Sequence, residues 1–457
     1  MTASEQLAQF AAGSKALPKL CREYKKERAT VHLKELVGGA LSFYAAAAVA
    51  KTGGVHIFVA EDRDAAAYLL NDFYNLLDEK QVYFFPSSYK RSAAYGAEDA
   101  QGVVQRTTAM NAVRGFTKGY LVVCTYPEAL AERVVDAATL QRDTIAVKLG
   151  DKISIAVLED ALADANFTRV DFVYEPGQYS VRGGIVDVFS YSESKPYRID
   201  FFGDEVDSIR RFNISSQLSA DKLDRVEIVP NLNAGEAPRV SFVQFAGSGA
   251  TCWFYDADYV LRRVNDLRRK VLADMEEPGQ IDRLLTSRNV LLRDMAGNSV
   301  VALRDNLPER PATAAVVFDT APQPKFNKNF EMLADDMIRN SLRGYATYIL
   351  SENKVQVERL ENIFHQIGRG QAAVRSLSVT LHEGFVDNDL KLCLYTDHQI
   401  FDRYQRYRIN GEIRRDEQMT VAELNQLRPG DYVVHIDHGV GRFDGLVKIN
   451  ENGKAHE

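Results

Sequence analysis

The sequence predicts an α/β protein of several domains. Three observations predict it. Strand-like and helix-like segments alternate through the first 125 residues, a β-rich stretch with a single helix interrupts them from about 144 to 212, and the alternation then resumes. A length of 457 residues agrees, since it suggests about three domains.

VHLKELV (31–37) reads as a strand, followed by Gly38-Gly39 and an Ala-rich helix to about Lys51. VHIFVA (55–60) reads as a buried strand. Residues 62–79 form a helix with Leu69, Leu70, Phe73, Leu76 and Leu77 on one side. VYFFP (82–86) is another strand, ended by Pro86, and LVVCT (121–125) follows a helix near 98–114. This βαβ order implies a mostly parallel sheet covered by helices.

In the β-rich stretch the one helix lies near 157–166. Tyr197, Ile199 and Phe201 alternate with Arg198 and Asp200, the period of a half-buried strand. Gly203-Asp204 suits a two-residue hairpin loop with Gly first, which sets Phe201 opposite Val206. TCWFYD (251–256) then returns to strand, with two charged helices around 258–275 and 278–295 and a strand at VVFD (316–319). Pro308, Pro311, Pro322 and Pro324 punctuate a boundary. Beyond it come a helix near 329–342, a strand at 346–350, a helix near 353–367 and the strand LKLCLYT (390–396).

Residues 402–428 are polar. Arg403, Arg406, Arg408, Arg414 and Arg415 could form a patch for nucleic acid, but the interspersed acids and amides favour a solvated linker. Thr420 and Glu423 have the spacing of a capping box. RPGDYVVHIDHGVGRFDGLVKI (428–449) starts a new β-rich unit. The expected domains are 1–125, 126–212, 213–320 and 321–410, then a linker at 411–428 and a last unit at 429–457.

Hydrophobic residues make up 46% and charged residues 26%, as in an ordinary globular protein, and the net charge of −7 argues against gripping DNA with the whole surface. Cys21, Cys124, Cys252 and Cys393 are isolated and suggest neither a metal site nor a disulfide framework. His435 and His438 are close but lack companion ligands. LSFYAAAAVA (41–50) is far short of a membrane span and the N-terminus has no signal-peptide layout, so a cytoplasmic protein is expected.

Gly38-Gly39 sits where a nucleotide hydrolase keeps its phosphate loop. That loop needs GxxxxGK[ST], whose amides wrap the phosphates while Lys neutralises them and Ser/Thr holds magnesium. LVGGALSFY (36–44) has no Lys there, and Lys51 falls at the far end of the helix. An apolar strand ending in Asp-Glu should hold magnesium and position water. Here Asp256 survives and Ala257 replaces the Glu. Hydrolysis is not expected, and Gly38-Gly39 reads equally well as a tight βα turn.

EPGQYSVRGGIVDVF (175–189) and YRIDFFGDEVDSIR (197–210) closely resemble the module shared by the excision-repair protein UvrB and the transcription-repair coupling factors. FPSSYKRSAAYGAEDAQGVVQR (85–106) resembles the segment after an early strand in that family, though Ala93-Ala94-Tyr95-Gly96 departs from its pattern. LHEGFVDNDLKLCLYTDHQIF (381–401) resembles the following domain. GDYVVHIDHGVGRF (430–443) resembles the opening of the polymerase-interaction domain, a Tudor/SH3-like barrel related to CarD-type regulators. The missing Lys and Glu favour the coupling factors over UvrB.

The resemblance implies a degenerate P-loop, UvrB-like sheet with an inserted β-rich domain, a small α/β domain and the start of a barrel. It implies that the chain stops inside that barrel, with the motor domains that use ATP and magnesium and track DNA lying beyond it. The chain is then a monomeric binding platform with no cofactor of its own. Its expected partners are UvrA and, through the last unit, the RNA polymerase β subunit, and no membrane. The rivals are an active UvrB-like DNA-dependent ATPase and an acidic regulator with only the CarD-like contact. Carried over residue by residue, the resemblance assigns UvrA contact to Arg169, Arg182 and Phe189, with Tyr179 a weaker fourth. Arginine and aromatic residues suit interface hot spots. Strand alternation gives Ile185, Asp187 and Phe189 one face and puts Arg182 on the other, unless Gly183-Gly184 bends the chain. Phe189 and Tyr179 fit the core as well as an interface, and Arg169 fits an ordinary surface charge as well as a contact.

Overall fold

The chain folds as two units, Met1–Asn410 and Gly411–Glu457. The computed structural model describes residues 2–89, 99–214, 216–232, 237–275, 277–403, 405 and 407, and in the second unit 430, 432–435, 439–442, 449–451 and 454–456.

The first unit opens with α1 (Ala3–Ala12) and α2 (Ala16–Tyr24), then β1 (Thr30–Lys34), α3 (Ala40–Thr52), β2 (Gly54–Val59), α4 (Arg63–Leu76), β3 (Val82–Phe84), α5 (Ala100–Arg114) and β4 (Tyr120–Thr125). The first strand is shorter than its residue types predict, because Glu35 turns into a left-handed conformation, φ 56°. Helix α3 is apolar nearly all round and buries Phe43, Tyr44, Ala45, Ala46, Ala48 and Val49. That is why it shows no polar stripe. Next come α6 (Pro127–Ala131), β5 (Val134–Val135) and α7 (Ala137–Asp143).

The β-rich module holds β6 (Ile145–Lys148), α8 (Ile155–Asp164), β7 (Thr168–Arg169), β8 (Gln178–Arg182), β9 (Ile185–Val188), β10 (Tyr197–Phe202), β11 (Glu205–Phe212), β12 (Ser219–Leu223) and β13 (Arg225–Ile228). Six of these strands form one sheet in the order β12-β11-β10-β9-β8-β7, and β13 pairs with β6. The pairing therefore runs past residue 212, where the change in composition had placed the end of the domain, and starts at 145 rather than 126. Strand β12 carries no apolar alternation, because Ser219, Ala220, Asp221 and Lys222 are all exposed and only Leu223 is partly buried. The hairpin is as expected. Gly203 takes φ +64° and Phe201 faces Val206. Leu158 and Leu162 of α8 pack on Val186, Val188, Ile199 and Ile209 of the sheet.

The chain then re-enters the first sheet through β14 (Arg239–Val240), α9 (Phe242–Ala246), β15 (Thr251–Phe254), α10 (Ala257–Asp274), α11 (Ile281–Leu284), α12 (Arg288–Asp294), β16 (Ser299–Ala302) and β17 (Ala314–Val317). The single helix expected over 278–295 is broken at Leu285-Thr286. There Arg268 Nη1 donates to the Leu285 carbonyl (2.7 Å), the Thr286 amide donates to the Ala131 carbonyl (2.7 Å), and Ser287 caps a new helix. These tertiary bonds replace helical ones. All seven strands of the first sheet are parallel, in the order β17-β1-β16-β15-β2-β4-β3.

The rest of the unit is β18 (Thr320–Pro322), α13 (Phe330–Leu342), β19 (Ala346–Leu350), α14 (Lys354–Gln366), β20 (Ser376–Leu377), β21 (Phe385–Asp387), β22 (Leu392–Thr396) and α15 (Asp397–Ile400), with a sheet ordered β18-β21-β22-β19-β20. Leu350, Leu377, Leu381, Phe385 and Leu394 join the core of the seven-stranded sheet, so the two sheets share one hydrophobic interior. In the second unit, β23 (Tyr432–His435) pairs antiparallel with β24 (Gly439–Arg442), and β25 (Ile449–Glu451) with β26 (Lys454–His456). Of the basic stretch 402–415, Arg403 pairs with Asp397 (3.6 Å), while Arg406, Arg408, Arg414 and Arg415 lie outside the described residues, as do His438, Thr420 and Glu423.

Candidate functional site

Two places carry the residues singled out by the sequence. The first is the outer face of the six-stranded sheet. Gly183-Gly184 is a two-residue hairpin loop, with Gly183 at φ +60°, rather than a bend in one strand. Arg182 is therefore opposite Ile185, and Ser180 opposite Asp187. Arg182 shares its face with Ile185 and Asp187, which corrects the alternation argument. A strand that reverses at a two-residue loop keeps paired residues on the same side. Arg198, paired with Asp187, and Arg210, paired with Arg198, extend that face.

Asp187 is the anchor of this face. It is buried, and Arg198 donates to it from Nε (2.7 Å) and Nη2 (2.8 Å) while Arg182 donates from Nη2 (2.5 Å). Two guanidinium groups on one carboxylate satisfy the charge that burial would otherwise penalise. Arg198 also lies over the Phe212 ring at 4.5 Å and donates to the Gln217 carbonyl, which locks it. Arg182 keeps 36% of its side chain exposed and lies over the Phe172 ring at 4.9 Å. Phe172, Tyr174 and Phe202 are exposed. Fixed arginines beside exposed rings form a surface suited to carboxylates and apolar anchors.

The other assigned residues separate from Arg182. Arg169 pairs with Tyr179 in register, so it belongs to the helix side of the sheet, on the edge strand β7. Its Nη1 donates to Glu159 of α8 at 2.7 Å. Tyr179 is 4% exposed and part of the module's core. Phe189 is fully buried, held by backbone bonds to Gln178 and Gly177. Neither ring can present area to a partner in this structure, so both support the face from within. Arg198 and Phe172 are additions that the structure makes to this face. An Asp inside the apolar run IVDVF is the signal that points to Arg198, since a buried carboxylate needs a cation beside it.

The second place is the turn Val37–Gly39 at the end of β1. Gly38 has φ +57°, and Gly39 begins α3. A Cβ on Gly39 would stand 2.1 Å from the Glu383 carbonyl oxygen, and one on Gly38 3.0 Å from that of Gly384. The loop 380–384 thus packs directly on this turn and on the amino end of α3. Asp72 fastens it, accepting from the His382 amide (2.7 Å) and from Ser42 Oγ (2.7 Å). The His382 ring stacks on Tyr68 at 3.7 Å, and Asn75 donates to the Thr380 carbonyl. Burial, with a contribution from Glu383, pushes the Asp72 carboxyl up to about 7.

Asp256 caps α10 by accepting from the Tyr259 amide (2.8 Å) and also accepts from Asn306 (2.7 Å), while Ala257 is buried as the first residue of the helix. Lys51 is exposed in the last turn of α3. Among the described residues no group of His, Cys, Asp and Glu is placed to hold a metal ion. No helix among them is long and apolar enough to cross a membrane. The four cysteines are buried, and burial raises each thiol's pKa, that of Cys252 to about 12.

Comparison with known proteins places these features. Residues 145–233, which contain the six-stranded sheet, match the family described as the UvrB interaction domain, and residues 427–457 match the CarD-like/TRCF RID domain. The transcription-repair-coupling factor of Bacillus subtilis is 23% identical over 92% of this chain and 42% of its own length. That of Escherichia coli K12 is 23% identical over 93% of this chain and 43% of its own. One from Staphylococcus epidermidis is 23% identical over 84% and 39%. The chain spans about two fifths of the length of the curated relatives it matches. The family expected from the EPGQYSVRGGIVDVF and GDYVVHIDHGVGRF motifs is thus the one its relatives carry, the transcription-repair-coupling factors.

Proposed function

We propose that this chain is the docking platform of a transcription-repair coupling factor. Its β-rich module recruits the excision-repair protein UvrA, and its last unit contributes to contact with the RNA polymerase β subunit. In this reading the seven-stranded sheet is a degenerate P-loop domain with the module inserted, residues 321–410 are a small α/β domain, and 429–457 begin a Tudor/SH3-like barrel. The chain acts as a cytoplasmic monomer without a cofactor. ATP, magnesium and DNA are handled by parts of such a protein outside this sequence.

The observation that carries the reading is the match of 145–233 to the UvrB interaction domain, coinciding with the sheet whose outer face holds Arg182 beside Phe172. Arg169 stands on the edge strand of the same sheet, so a partner that wraps this edge can reach both arginines. Against the active-ATPase reading stand the packing of Glu383 on Gly39 and the use of Asp256 as a helix cap. The test is a pull-down with UvrA and with the polymerase β subunit, each alone. Capture of UvrA that is lost on substituting Arg182 supports the proposal, and no capture of UvrA by the parent chain refutes it.

A further inference from the structure

Beside the 380–384 loop a crevice remains open, with a volume of about 320 Å³. It lies at the carboxyl ends of β2, β15 and β16, where open parallel sheets hold their ligands. Its size is that of a small-molecule site. The floor is apolar and aromatic, including Phe58, Trp253, Phe254 and Leu303. Its acidic groups are three carboxylates, and the imidazole of His382, stacked on Tyr68, also lines it. Asp72 is buried, while Glu61 and Glu383 are exposed, and no Lys or Arg is among the lining residues.

This chemistry selects a ligand. Glu61 and Glu383 form no ion pair among the described residues. Asp72 Oδ1 accepts from the His382 amide and Oδ2 from Ser42, so each oxygen keeps a lone pair. A phosphate is repelled by three carboxylates and finds the amino end of α3 covered by the Glu383 carbonyl. A purely apolar ligand would desolvate Asp72 further without pairing it. A planar cation satisfies both surfaces, because its fork of N–H groups matches a carboxylate and its flat body suits an aromatic floor. We propose that this crevice binds a small planar organic cation, an amidinium or guanidinium on an apolar body, with Asp72 receiving the charged end and Glu61 and Glu383 flanking its entry.

The site is independent of the UvrA-docking reading, since it lies on the seven-stranded sheet and uses none of the residues of the module. The test uses benzamidine as the cation, with benzoate and benzyl alcohol as anionic and neutral matches, titrated into the whole chain by calorimetry at mildly alkaline pH, where Asp72 is charged. Saturable benzamidine binding is expected, with both matches about tenfold weaker or more. Asp72→Asn should weaken benzamidine about tenfold or more, and Glu383→Gln, at an exposed position, should weaken it severalfold without altering the melting temperature. Three results overturn the proposal: no saturable binding at millimolar benzamidine, benzoate or benzyl alcohol binding as tightly, or benzamidine binding unchanged in both variants.

Discussion

Arg182→Ala separates docking from folding because of the way Asp187 is held. Removing Arg182 deletes one of the three guanidinium bonds to Asp187 and the contact with Phe172. Arg198 still grips both carboxylate oxygens, so the buried charge stays paired. The stability loss should be on the order of 1–2 kcal/mol, one charge-assisted hydrogen bond plus a partly exposed cation–π contact. Arg198→Ala should cost more, on the order of 3–5 kcal/mol, because it removes two bonds to a buried carboxylate. At the interface, a hot-spot arginine is worth about 2 kcal/mol or more, which is about thirtyfold in Kd. The assay is a titration of UvrA with the parent, Arg182→Ala and Arg169→Ala, with melting curves in parallel. Arg182→Ala should melt nearly as the parent and bind far more weakly. Arg169→Ala should also weaken binding while its exposed pair with Glu159 costs little in stability. If both variants melt normally and bind UvrA as the parent does, the module has the fold without the docking site.

The chain should release no phosphate from ATP above background, with or without DNA, and a DNA-stimulated rate on the order of 1 s⁻¹ would contradict the docking-platform reading. Gly39→Ala should lower stability by about 1–3 kcal/mol, since its Cβ meets the Glu383 carbonyl, and should speed amide exchange at His382; an unchanged melting curve would mean that the loop yields freely. Asp72→Asn should stabilise the fold increasingly as pH rises. The folded carboxyl sits at about 7 against an ordinary value of 3.8, so its ionisation costs stability progressively across that window, up to on the order of 4 kcal/mol, and an Asn carries no such slope. Equal pH dependence in the two proteins would sink that assignment. Phe189→Ala should cost about 3–5 kcal/mol as a core truncation, seen in denaturant melts, and loss of UvrA binding at full stability would instead place the ring at the interface.

What the sequence revealed and what it concealed divide by distance along the chain. The turn at Gly203-Asp204, the alternation of β10 and the apolar strands β2 and β4 are dictated by residues within a few positions of one another, and they were legible. Arg182 was half legible. Gly183-Gly184 announced a break in the strand, but bend and hairpin place Arg182 on different faces, and only the pairing with Ile185 decides between them. The 278–295 helix failed for the same reason, since the bonds that break it come from Ala131 and Arg268.

Gly39 marks the limit most clearly. A glycine at the start of a helix after a parallel strand is what a phosphate loop requires, and equally what a close approach of another backbone requires. Both demand the absence of a Cβ, so the residue alone cannot tell them apart. The missing Lys argues against the first use, and the second becomes visible only when the 380–384 loop is brought back from far along the chain to rest on Gly39. The same loop explains why Asp72 is buried in a helix otherwise patterned for a surface. It accepts the His382 amide that the loop brings. A position that looks like the remnant of a nucleotide site therefore has a present structural use, which joins the small sheet to the large one, and selection on that contact would retain the glycine whether or not a nucleotide ever binds.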